Sequence, residues 1–146
     1  MTAPTNSAAS GGQDTASGHP RASVLLAHGS SDPHWLAPFE HLLQQIHDTL
    51  GSHGTRVELA YMELAEPSLA SQIRALVSDG VRHIDVLPLF FAAGRHLRRD
   101  VPAKIDELQT EFKNQDLSVV IHLHSPVGLE PEVAGAISQV VQRRLS

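Results

Sequence analysis

The sequence predicts an α/β fold, a four-stranded parallel sheet with helices on both faces. Two observations carry that reading. Four short apolar runs, near Val24, Arg56, Ile84 and Leu117, alternate with four segments whose apolar residues recur at helical spacing. The third run, Ile84 to Phe91, is apolar almost throughout, as a strand covered on both faces requires. Right-handed crossovers then place all four strand ends on one edge, where open α/β sheets take their ligands.

Residues 1–20 are mostly small or polar, with one acid and no lysine or arginine. Such a stretch cannot offset the entropy of ordering, so a disordered tail is expected, followed by one domain over 21–146. The tail lacks the basic start and apolar middle of a signal peptide, which leaves a cytoplasmic location as the expectation. Val24 to Ala27 reads as the first strand, and His28-Gly29-Ser30-Ser31-Asp32-Pro33 as a tight turn into a helix. Ser31 or Asp32 would cap that helix, with Pro33 in its first turn. Trp35, Leu36, Phe39, Leu42, Leu43, Ile46 and Leu50 fall on its expected core face, and Pro38 is expected to delay or kink it.

Arg56 to Met62 alternates as a second strand, and Pro67 to Ser78 follows as a helix burying Leu69, Ile73, Leu76 and Val77. After the third strand the chain breaks at Ala92-Ala93-Gly94. Asp100, two residues before Pro102, reads as the cap of a third helix reaching about Lys113. Leu117 to Leu123 is the fourth strand, and a last helix runs past Pro131 to near Leu145.

Composition narrows the chemistry. At 146 residues with 41% hydrophobic content, the chain supports one ordinary globular core. No apolar run is long enough to span a bilayer. A net charge of −5 argues against nucleic acid as partner. With no cysteine, a metal would have to be held by nitrogen and oxygen. Ten histidines supply the nitrogen. Most, including His34, His41, His47, His53 and His83, read as surface or helix-face residues. His28, Glu63, His96 and His124 differ in sitting at or just beyond the four strand ends, where the fold would gather them.

Each of these residues alone is more often a turn or capping group. Together, two imidazoles and a carboxylate suit Co²⁺, Fe²⁺, Ni²⁺ or Zn²⁺ with positions left open for a substrate. Arg95, Arg98 and Arg99 beside His96 suit a ligand bearing carboxylates. A non-catalytic metal or tetrapyrrole carrier would use the same groups. A phosphate binder built on Gly29-Ser30-Ser31 is a third reading, weakened by the lack of a glycine-rich nucleotide motif.

The ordered set Ala27-His28-Gly29-Ser30, Tyr61-Met62-Glu63 with Glu66-Pro67-Ser68, Leu87-Pro88-Leu89-Phe90, Gly94-Arg95-His96 and Asp100-Val101-Pro102 resembles the CbiX/SirB class of tetrapyrrole chelatases. It is most similar to the short, single-unit form, across about residues 22–132. That resemblance implies a chelatase-like fold and nucleotide-independent insertion of a divalent metal into sirohydrochlorin. Cobalt is favoured as the metal substrate, with iron or nickel as alternatives. It implies His28 and His96 as metal-handling residues and Glu63 as their acidic catalytic partner. Ser30, Arg95, Arg98 and Arg99 would bind the polycarboxylate ring, and His124 would support the site from behind. Longer relatives hold two such units around one cleft, so a homodimer is implied.

Overall fold

The computed structural model describes residues 20–51 and 54–145. The tail read over residues 1–20 lies outside them except for Pro20, as does His53. The order is β1 (Arg21–Ala27), α1 (Pro33–Leu50), β2 (Arg56–Tyr61), α2 (Leu69–Ser78), β3 (His83–Pro88), α3 (Val101–Asn114), β4 (Val120–Leu123) and α4 (Pro131–Leu145). A π-helical turn, His96–Asp100, leads into α3, and a 3₁₀ turn, Val127–Leu129, precedes α4. All four strands are parallel in the order β2-β1-β3-β4, as the alternation requires.

Strand limits depart from the sequence reading for pairing reasons. β1 begins at Arg21 because it is central: Ala22 lies opposite both Arg56 and Ile84. Two-sided pairing holds residues that show no apolar run. β4 loses Leu117–Val119, since Leu117 N–H donates to Phe112 C=O (2.9 Å) to finish the turn out of α3. α1 passes through Pro38 unbroken, near enough to the start that one internal bond is forfeited. Its cap is Asp32, whose Oδ1 accepts from His34 N–H at 2.9 Å.

Two apolar clusters flank the sheet. On one side α2 and α3 close over Val24, Leu26, Ile84 and Val86 with Ile73, Leu76, Ile105 and Leu108, all nearly solvent-free. On the other, α1 covers Leu25, Ala27, Val57, Leu59 and Tyr61 through the half-buried Leu36, Phe39, Leu43 and Ile46. Here the sequence reading needs correction. Trp35, Leu42 and Leu50, expected in the core face of α1, are exposed, Trp35 at 66%. α4 has no buried residue at all.

Candidate active site

Parallel pairing of β1 with β2 continues one step past both strands. Met62 N–H donates to Ala27 C=O (2.9 Å) and Glu63 N–H to His28 C=O (3.2 Å). Gly29 makes this approach possible: its φ is +97°, and a Cβ there would lie 1.9 Å from the Glu63 carbonyl oxygen. The two segments therefore meet, and His28 Nε2 stands 3.8 Å from Glu63 Oε2. The His28 ring sits edge-on to Phe90, with centroids 6.4 Å apart.

His96 arrives differently. It opens the π-helical turn rather than sitting in a loop, and buried Leu97 and Val101 anchor that turn to the core. Its Nδ1 pairs with Asp100 Oδ2 at 2.6 Å. Asp100 is thus no helix cap: its backbone is helical and its side chain bonds no helix N–H. It faces His96 because residues four apart share a helix face. A carboxylate on Nδ1 fixes the ring and leaves Nε2 to act as acceptor or ligand.

His28, Glu63, His96 and Asp100 all line one cleft of about 450 Å³ at the carboxyl edge of the sheet. Leu26, Met62, Leu69 and Val101 give it an apolar floor, and Ser68 and Lys104 add polar groups. The four site side chains are more than half exposed, so substrate or partner could reach them. Among the described residues no three or more histidine, aspartate or glutamate side chains come together so as to hold a metal ion.

Other candidates fall elsewhere. Arg95, Arg98 and Arg99 are exposed on or beside the turn that carries His96, outside the cleft lining. None forms an ion pair among the described residues. Lys104, one turn beyond Asp100, is the cation in the lining; nothing in its helical context marked it beforehand. Ser30 Oγ accepts from Asp32 N–H (3.0 Å) and shapes the turn. His124 does not back the site. Its Nε2 bonds Asp85 Oδ1 at 2.9 Å, and Asp85 alternates with core residue Val86 to face the α1 side of the sheet. The phosphate reading also fails, because Asp32 already occupies the N-terminus of α1 with negative charge. Tyr61, also in the lining, has its phenol pushed up by burial and, secondarily, by Glu40, so it stays protonated.

The family model for CbiX matches residues 22–144, nearly all of the described chain. This chain belongs to the CbiX family. Among CbiX relatives, a sirohydrochlorin cobaltochelatase from Sulfurisphaera tokodaii is 30% identical over 122 residues, covering 84% of this chain and 92% of that protein. A crystal structure from Marinobacter aquaeolei VT8, assigned to CbiX and cobalamin (vitamin B12) biosynthesis, superposes with a TM-score of 0.72 at 42% identity. It covers 86% of this chain and 98% of its own. SirB from Bacillus subtilis with Fe³⁺ gives a TM-score of 0.69 at 25% identity, over 82% of this chain but 45% of SirB. One CbiX chain therefore spans about half of the SirB chain.

Proposed function

We propose that this CbiX-family chain inserts a divalent metal into sirohydrochlorin or a related polycarboxylate tetrapyrrole, without a nucleotide. Cobalt is the favoured metal substrate, as the name of the Sulfurisphaera relative supports; iron and nickel are the alternatives. The observation that carries the reading is His28 beside Glu63 in one cleft with a carboxylate-oriented His96.

The reaction exchanges two pyrrole protons for the metal. Each N–H bond that breaks leaves its electron pair on nitrogen, which then bonds the metal, and two protons depart. In the proposal the His28 and His96 imidazoles hold the incoming ion and replace part of its hydration shell. Glu63, or a freed imidazole, accepts the protons. Asp100 holds the His96 ring in place. Arg95, Arg98 and Arg99, which form no ion pair among the described residues, and Lys104 offer cations to the ring carboxylates. A homodimer belongs to the proposal: a ring on an open cleft needs a second wall, and SirB has chain enough for two units. So does a cytoplasmic setting; no helix among the described residues is long and apolar enough to cross a membrane.

Single-turnover insertion of Co²⁺, Fe²⁺ and Ni²⁺ into sirohydrochlorin, followed by absorbance, tests the reading. A rate well above the protein-free reaction is expected, highest with Co²⁺. Tight binding of ring and metal with no acceleration would make the protein a carrier.

A further inference from the structure

His96, Asp100 and Lys104 follow one another at four-residue spacing through the π-helical turn into α3, so they share a face. All three line the cleft. The stripe one residue later, Leu97, Val101 and Ile105, is buried against the core and fixes how that face is turned. Arg95 and Arg99 sit one residue earlier, on the solvent side, and with Arg98 they stay outside the lining. Among the described residues that line the cleft, Lys104 alone is a lysine or arginine.

That cation is lightly held. Lys104 Nζ stands 3.3 Å from Glu107 Oε1, an i, i+3 pair on the exposed surface of α3. Solvated pairs of this kind contribute little and exchange readily. Glu107 lies outside the cleft lining, in a shallow depression with Ala103, Asp106 and Thr110. Asp100, one turn before Lys104, is already bonded to His96. Lys104 is therefore poised between a carboxylate of its own helix and an acid that enters the cleft. A tetrapyrrole takes its metal at the centre and carries its carboxylates on the rim. Lys104 is eight residues beyond His96, about 12 Å along the axis at the helical rise, and its flexible stem can lean back over part of that span. A ring centred near His96 brings a rim carboxylate within its reach. We propose that Lys104 sets the position of the ring over the histidines, exchanging Glu107 for one rim carboxylate. This rests on the tetrapyrrole reading above and names the residue that registers the ring within the cleft. The new pair forms over an apolar floor, where a charge-assisted bond is stronger than the exposed one it replaces. Glu107 is then a competitor that holds the ammonium back and weakens ring binding.

Metal-free sirohydrochlorin is titrated into the full chain, and its fluorescence reports the dissociation constant. Arg98, Lys104 and Glu107 are exposed, so substitutions there should leave the fold intact. Lys104→Gln should raise the constant about tenfold, the scale of a lost charge-assisted bond. Lys104→Arg keeps the charge and should stay within about threefold of the wild type. Glu107→Gln should act in the opposite direction, lowering the constant about twofold by freeing the ammonium. Arg98→Gln removes a cation outside the lining and should raise the constant less than Lys104→Gln does. Wild-type ring binding by Lys104→Gln would overturn the proposal and leave the tetrapyrrole reading standing. Equal weakening in Lys104→Gln and Glu107→Gln would make the pair a structural feature of α3 and overturn it likewise. Equal weakening in Lys104→Gln and Arg98→Gln would show general attraction of a polyanion and overturn the registering role. Ring binding with the expected shifts but no metal insertion would uphold Lys104 and overturn the insertion reading. A wild type that binds no ring would overturn both.

Discussion

The two faces of the sheet are built to different standards. The α2–α3 side buries eighteen residues in one cluster, with Ile73, Leu76, Ile84 and Val86 fully enclosed. The α1 side buries five, and the covering side chains from its helix stay half-exposed. Burial of apolar area drives folding, so the first face holds the monomer together and the second is the side with surface to spare. The cleft draws its floor from the well-packed side, through Leu26, Leu69 and Val101. The side chains lining the cleft gain rigidity from that placement.

The contrast can be broken by mutation. Ile73→Ala on the packed side should cost about 2–5 kcal/mol in urea unfolding, because a cavity opens among enclosed neighbours. Leu42→Ala on α1 should cost under about 0.5 kcal/mol in dilute protein, since the side chain is 37% exposed. Equal losses would erase the distinction. Asp100→Asn should lower insertion about 10–100-fold with little change in stability, since Asp100 orients His96 instead of capping a helix. A stability loss with normal insertion would restore the capping reading.

Smaller effects differ between the faces by pH. Arg74 holds Glu111 through two 2.9 Å bonds between α2 and α3, keeping that carboxyl below its ordinary range. Its contribution is present above the unfolded carboxyl pKa and lost as pH falls through the lowered folded value. Burial raises Tyr61 under α1, with Glu40 adding to it, so its contribution is present below the unfolded phenol pKa and declines as pH rises toward the folded value. Glu111→Gln should flatten only the acid limb of the stability curve, and Tyr61→Phe only the alkaline limb. Chemical unfolding across pH reads both, and a change on the opposite limb in either variant would contradict the assignment.

Most of the architecture was legible in the chain because apolar runs and helical spacing report the sheet and its crossovers directly. The meeting of His28 with Glu63 followed from parallel strand ends, and Gly29 is the residue that lets them close. Other features were not legible for physical reasons. Periodicity says which face of α1 or α4 is apolar but not what covers it, so Trp35, Leu42 and Leu50 read as core and prove exposed. Asp100 could serve as a cap or face a residue four back, and only the helical backbone decides. His124 was assigned by strand-end position, but its side chain turns to Asp85 on the other face of the sheet. Lys104 lies two residues past Pro102 on α3, where a solvated lysine and a cleft lysine look alike.

If His28 and His96 in the cleft move metal into the ring, loss of either imidazole should stop the reaction. Single-turnover Co²⁺ insertion is compared among the wild type, His28→Ala and His96→Ala at one protein concentration and pH. Both side chains are largely exposed, so neither change should unfold the protein. Each variant is expected to lose about 100-fold or more of the rate above background, on the scale of a lost general base or ligand. Two variants that insert cobalt at the wild-type rate would contradict the account.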